Sequence, residues 1–429
     1  MYKIRFFEVL MKRTTFSRFP IDNASILYLS LMRKDHCNSY RFTITLTEDV
    51  CPETLQNAVD RIYRRFPLVI AGFQPGVFRY YQIPSSAAPK VQSDPGCLIT
   101  MSREEIRNCA FRVYYKENTV SIEAFHALAD GYGAIACFST LIAEYLRLKY
   151  GTFIPISETL LDLEQAPMLP ELEDSYLDHA EGTPLHLPSR YAYQLPGGDL
   201  GREAVHTHTI QLPAQKLLDA SRKHGVSVTT LISAVMSATV MEIQKKQTSG
   251  KKIKPVRIMV PVDLRRMFPS RTLRNFILYV LPTMEPEDNE KDMSSLLRSF
   301  ASQMQAQLEK SRLASIMAYN VKTQGSWYFG LIPMSVKLAI MRLAYRYFGE
   351  SNSSVTVTNL GNVRLPEEMK GYVRNLEVTL TPRMRSPYNC AILSYDGNLS
   401  IRISRFPKDS ELEAIFMRNL DAVLNGESV

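Results

Sequence analysis

Three residues in the stretch FHALADGYG have the types and spacing that proton-transfer chemistry asks for: His126, Asp130 and Gly131. Imidazole is the side chain whose ordinary pKa lies near neutrality, so His126 suits a general base. A strand, a tight loop and a helix would bring this imidazole, one carboxylate and one glycine within a few residues, an arrangement that could hold such a base. The competing reading is purely structural: a histidine hydrogen-bonded at a strand end, and an aspartate that only caps a helix.

The flanking pattern positions these groups. Val120, Ile122 and Ala124 alternate with Ser121 and Glu123, which predicts a half-buried strand over Thr119 to Phe125. His126 then stands at the strand end. Ile135, Phe138, Leu141, Ile142, Tyr145 and Leu146 recur at helical spacing, with Asp130 at the N-cap position. The helix should run to about Tyr150 and stop at Gly151.

A chain of 429 residues exceeds what one core fills, so two domains are expected. We place them at 1–195 and 196–429, with a crossover over about 153–205 where prolines and glycines accumulate. Hydrophobic residues at 45% and charged residues at 22% are those of a globular protein and argue against long disordered tails. The formal charge of +8 suits an acidic ligand such as a nucleotide-containing co-substrate, while no nucleic-acid-binding motif is present. Cys37, Cys51, Cys97, Cys109, Cys137 and Cys390 show no metal-ligand spacing, so no metal is expected and a reducing compartment is. Charges interrupt every apolar run near the N-terminus, which lacks the core of a signal peptide; Met11 is an alternative start to Met1. No run of 18 uncharged apolar residues occurs, so no transmembrane segment is expected and the protein is read as cytoplasmic.

Taken in order, the pattern predicts a short helical or irregular apolar segment over Ile21 to Ser30, a strand over Tyr40 to Leu46 and a helix from Pro52 to Arg65. Strands at Leu68 to Phe73 and Tyr80 to Ile83 follow, then a loop from Pro84 to Gly96, and Phe111 to Tyr115 pairs as a hairpin with the strand before His126. Beyond the crossover come a strand at His206 to Leu212, helices over Pro213 to His224 and Ser227 to Gln244, and a lysine-rich loop, Lys245 to Lys254. Val256 to Val262 and Asn275 to Leu281 read as buried strands and Met293 to Leu313 as one helix. Trp327 to Phe348 reads as a helix kinked at Pro333, with basic residues around an apolar body. Packing at a cleft edge is its expected role, and a membrane-surface helix the alternative. Ser354 to Thr358, Leu376 to Leu380, a hairpin over Cys390 to Arg405 and a helix from Ser410 to Leu424 complete the chain.

This order of pieces resembles the CoA-dependent acyltransferase superfamily, which includes chloramphenicol acetyltransferase, plant BAHD acyltransferases, polyketide-associated acyltransferases and condensation domains of peptide synthetases. His126, Asp130 and Gly131 match its HxxxDG motif. RRFPLVIAGF from Arg64, VPVDLRRMFPSRTLRNF from Val260 and SVTVTNLGNV from Ser354 resemble further segments, so the likeness covers nearly the whole chain. FPIDNASILYL from Phe19 looks most like bacterial stand-alone alcohol acetyltransferases. Phe125 stands where condensation domains usually carry a second histidine, and the DFGWG motif of the plant enzymes is absent.

The resemblance implies two mixed α/β domains of the chloramphenicol acetyltransferase type with a central tunnel between them. It implies transfer of an acyl group, acetyl first, from CoA to a small alcohol or amine, with His126 as base and acyl-CoA as co-substrate rather than a tightly bound cofactor. Asp130 would turn from the substrate and pair with an arginine, for which Arg265 is the candidate and Arg266 its rival; Gly131 lets the helix start approach its neighbour. Thr356, Thr358 and Asn359 are candidates for contacts in the tunnel or to the oxyanion. Alternatives are condensation on an acyl carrier protein, and a binding protein of the same fold without turnover.

Overall fold

The computed structural model describes residues 18–33, 36, 38–187, 189–197, 205–247 and 253–426. Met11, Cys37 and the middle of the lysine-rich loop lie outside them. The alternating segments form three sheets. The sheet leading to His126 has the order Val373–Leu380, Ser39–Leu46, Thr119–Phe125, Phe111–Lys116, Val91–Ser93. Its centre is antiparallel, and Glu117 takes a positive φ of 49° in the tight turn between Phe111–Lys116 and Thr119–Phe125. A second sheet runs Ile277–Val280, Val256–Asp263, Val355–Asn362, Tyr388–Tyr395, Asn398–Arg405, His206–Pro213, with Thr283–Met284 also on Val256–Asp263. A small third sheet joins Phe19–Pro20, Tyr80–Pro84 and Ala71–Pro75.

Val373–Leu380 comes from the C-terminal half of the chain yet pairs antiparallel with Ser39–Leu46. Leu376 and Val378 are thereby buried in the N-terminal core with Phe42, Ile122 and Leu141. A second core, around Leu231, Val235, Ile258, Val357 and Ile401, sits between the Val228–Gln247 helix and the second sheet. The 20-residue helix Gly131–Tyr150 is buried along most of its length and ends at Gly151, whose φ of 67° is the left-handed conformation that closes helices.

Among its described residues the crossover holds two four-residue helical turns, Leu169–Leu172 and Tyr176–His179. It is nonetheless tied down firmly. Arg65 forks onto Glu171 at 2.6 and 2.8 Å, both side chains buried, and Tyr176 Oη both donates to Ile277 O and accepts from Ile277 N.

Several elements differ from expectation. Leu68 to Ile70 form a buried turn, closed by Val69 N and Ile70 N on Phe66 O, and the strand is Ala71–Pro75. A short apolar run does not distinguish the two. The proline loop contains the strand Val91–Ser93. An unexpected helix, Arg103–Asn108, is opened by a capping box in which Ser102 and Glu105 bond each other's backbone. The single helix expected over Met293 to Leu313 is two, Met293–Gln307 and Lys310–Gly325, broken where Glu309 takes an extended backbone. Around Pro333, likewise, there are two helices, Trp327–Leu331 and Met334–Ala344, rather than one kinked helix. Among the described residues no single helix is long and apolar enough to cross a membrane.

Candidate active site

His126 follows the last residue of its strand, and its N–H donates to Asn38 O at 2.8 Å. Two tyrosines hold the ring. Tyr28 stacks on it at 4.3 Å between centroids and 12° between planes, and Tyr40 meets it edge-on at 5.1 Å and 80°. Nδ1 is buried and finds no regular hydrogen bond outside its own residue. The ring lines the cavity. Burial lowers the His126 pKa below the ordinary imidazole value; the residue's own backbone, Asp130, the Asn275 side chain and Asp22 act the other way without cancelling it. The lowered pKa favours the neutral ring, the state a base needs.

The loop after His126 is fixed carbonyl by carbonyl. Ala127 O accepts from Ser25 Oγ at 2.7 Å and Asn275 Nδ2 at 3.3 Å, Leu128 O from Gln82 Nε2 at 3.3 Å, and Ala129 O from Tyr40 Oη at 2.9 Å. Asp22, fully buried, accepts from Ser25 N at 2.7 Å and from Asn275 Nδ2 at 3.3 Å, so the supports are themselves braced.

Asp130 uses both oxygens away from His126. Oδ1 caps the helix, accepting from Tyr132 N at 3.1 Å and Gly133 N at 3.3 Å. Oδ2 accepts from Arg265 Nη1 and from Phe276 N, each at 2.8 Å. The Arg265 guanidinium spends all its donors: on Asp130, on Asp263 Oδ1 at 2.9 Å, twice on Thr272 O, and on Arg274 O at 2.7 Å. It also lies 4.6 Å from the Tyr132 ring centroid. The contact with Asp130 is single rather than a bidentate fork, because capping occupies the second oxygen. Arg266 is exposed, borders the cavity near Gly361 and makes no ion pair with Asp130.

Two glycines open this helix against the C-terminal half. A Cβ on Gly131 would meet the Leu360 side chain at 2.5 Å, whereas one on Gly133 would lie 2.0 Å from the Leu273 carbonyl oxygen. A side-chain end can move; that backbone cannot, because Leu273 N is bonded to Glu171 O at 2.9 Å and Arg265 holds the carbonyls on either side. Gly133→Ala is therefore expected to cost about 1–3 kcal/mol of stability, and Gly131→Ala less, measured as shifts in denaturant midpoint. Equal shifts would refute the assignment.

Thr356, Thr358 and Asn359 line the same cavity as His126. Asn359 is already engaged: Nδ2 donates to Thr229 Oγ1 at 2.9 Å and Oδ1 accepts from Gly361 N at 2.8 Å. The cavity, about 1890 Å³, draws its walls from both halves, with Tyr28, Tyr40 and His126 on one side and Met259, Thr356 and Asn389 on the other. Arg383 also borders it, bonded to Ser353 Oγ at 2.5 Å through Nη2, while its Nε and Nη1 are buried without partners. Among the described residues no cluster of His, Cys, Asp or Glu could hold a metal. Spacing alone did not reveal Tyr28, Asp22 and Asn275, although the first two lie in the FPIDNASILYL segment.

No protein-family model matches the sequence, and no curated protein matches it. Solved structures do. Polyketide synthase associated protein 5 from Mycobacterium tuberculosis superposes with a TM-score of 0.59 at 16% identity, covering 95% of this chain and 98% of that one. The wax ester synthase/diacylglycerol acyltransferase from Marinobacter aquaeolei VT8 gives 0.55 at 12% identity, covering 95% and 99%. The starter condensation domain of rhizomide synthetase RzmA, in complex with C8-CoA and Leu-SNAC, gives 0.56 at 14% identity, covering 95% and 93%. The chain thus has the mixed α/β fold that these three structures share.

Proposed function

We propose that the protein is an acyltransferase that moves an acyl group from a CoA thioester to an alcohol or amine, with His126 as general base. The observation that carries this reading is an imidazole, clamped between Tyr28 and Tyr40, that lines a large cavity walled by both halves of the chain. Nε2 takes the proton as the acceptor oxygen or nitrogen attacks the thioester carbonyl. The tetrahedral oxyanion then collapses, the C–S bond breaks, and the imidazolium returns its proton to the leaving thiolate. Thr356 and Thr358 are the candidate oxyanion or substrate contacts. Asp130 and Arg265 hold the loop and take no part in proton transfer.

In this reading the halves, 1–195 and 196–429, act as two domains of the chloramphenicol acetyltransferase type. The cavity is their tunnel, which donor and acceptor enter from opposite faces, and the protein works in the cytoplasm. A second reading, transfer from an acyl carrier protein, has support in the condensation domains among the similar structures; Phe125 in place of a second histidine argues against peptide-bond formation.

The test is acceptor-dependent release of free thiol from acyl-CoAs of increasing chain length, with a panel of alcohols and amines. Turnover with CoA donors is expected. Turnover only with a phosphopantetheine-bound acyl group would favour the carrier-protein reading, and none with either donor would favour a binding protein.

The pH profile follows from the lowered His126 pKa. The neutral ring is the base, so activity is present above that pKa and lost as pH falls through it. The acid limb of kcat/KM is expected below the ordinary imidazole value of about 6.5. A midpoint at or above that value would contradict the assignment.

A further inference from the structure

The helices on either side of Pro333 present apolar faces to solvent. On Met334–Ala344 and the turn after it, Val336, Ile340, Leu343 and Tyr347 recur at helical spacing with 46%, 51%, 57% and 54% of their surface exposed. Trp327, Tyr328 and Leu331 continue the patch from the preceding helix at 78%, 57% and 65%. Exposed Val77 and Phe78 border it, since Val77 O accepts from Met334 N and Phe78 O from Lys337 Nζ, each at 2.8 Å. The helix is not loose. Its other face buries Met334 and Lys337, and Arg342 Nε donates to Ser30 O at 2.9 Å.

Two observations say what covers this patch. From Lys310 to Gly349 the chain has six lysines and arginines and no aspartate or glutamate; Lys337 is buried on the inner face, while Arg342 and Arg346 are exposed beside the patch, with Glu350 the first acidic residue after it. Apolar residues on one face, tryptophan and tyrosine at the edge, and Arg342 and Arg346 exposed among them suit a helix lying in the plane of an anionic lipid surface. The second observation is continuity with the cavity: Met341, Ala344 and Tyr345, from the same stretch, line it. The outward side of this element would meet lipid while its inward side borders the candidate site.

We propose that this surface docks the protein on a bilayer bearing anionic headgroups, and that a lipophilic substrate passes beside the Met334–Ala344 helix into the cavity. The passage of substrate rests on the acyl-transfer reading; the docking does not.

Trp327 is the chain's one tryptophan, so its fluorescence reports the patch directly. Full-length protein is mixed with phosphatidylcholine vesicles with and without phosphatidylglycerol, and read by co-sedimentation and by Trp327 emission. Binding and a blue shift are expected with the anionic vesicles, weakened by salt. Ile340→Glu with Leu343→Glu should weaken binding by at least about tenfold, leaving circular dichroism and thiol release from a short, water-soluble donor unchanged. Absence of binding to either vesicle, or an unmoved emission, would overturn the docking. So would a self-associated protein whose dimer the double variant dissociates, or capture of an acidic carrier protein without vesicle binding. Vesicle binding that leaves turnover of a long-chain substrate unaffected would overturn the passage of substrate. Loss of thiol release in solution would bear on the acyl-transfer reading instead.

Discussion

Replacing His126 by alanine is expected to lower acceptor-dependent thiol release by about 10²- to 10⁴-fold, the usual contribution of a positioned general base. The ring is the only titratable group that the loop between the strand and the Gly131–Tyr150 helix presents to the cavity without a partner on its open side, since Asp130 is fully engaged. Alanine leaves the fixed carbonyls of residues 127–129 untouched, because they bond to Ser25, Asn275, Gln82 and Tyr40 rather than to the imidazole. Removing the ring costs the packing of Tyr28 and Tyr40 against it and its interaction with the Asn275 side chain. Activity should therefore fall far more than the thermal midpoint does. A variant that unfolds, or one with wild-type turnover, would contradict the reading of His126 as a base held by an independent scaffold.

Breaking the Asp130–Arg265 contact should act in the other direction, on stability first. Both side chains are nearly inaccessible, and Arg265→Ala strips Asp130 and Asp263 of a cation and leaves the Thr272 and Arg274 carbonyls without their donor. Removing one partner of a buried pair costs about 3–5 kcal/mol, because the other charge stays buried and uncompensated. Asp130→Asn keeps a cap on the helix but loses the ionic partner, and should be milder. Lysine at 265 cannot replace five fixed donors and should rescue little. Denaturant midpoints of the two single variants and the double variant give the coupling: an additive double variant would show that the contact does not latch the halves together. In the proposed reading the latch holds the loop that carries His126, so turnover is expected to fall along with stability in Arg265→Ala, unlike in His126→Ala.

What could be read from the sequence depended on how local the cause was. The strand before His126, the Asp130 cap and the Gly151 stop are each set by neighbours within a few residues, and the spacing carried them. The contact of Asp130 with a residue 135 positions away has no local signature; the likeness to a known superfamily named Arg265, and spacing alone would not have. Gly133 had a faint signal, since a second glycine inside a helix start is unfavourable unless something lies close. Tyr28 and Tyr40 look like ordinary apolar residues until the sheet and the Ser25–Ser30 helix bring them to the imidazole. The break at Glu309 carries no proline or glycine, and the addition of Val373–Leu380 to the first sheet is a pairing across more than 300 residues. Trp327 to Phe348 was legible as apolar and basic; which face met water depended on the packing beneath it.

The most direct test of the acyl-transfer account is a crystal structure with an acyl-CoA analogue and an alcohol bound. Expected are a thioester carbonyl in the cavity between the two halves, the acceptor oxygen about 2.6–3.2 Å from His126 Nε2, and Asp130 still on Arg265. An acyl group bound away from His126, or a ring whose Nε2 faces the protein with the donor in place, would contradict it.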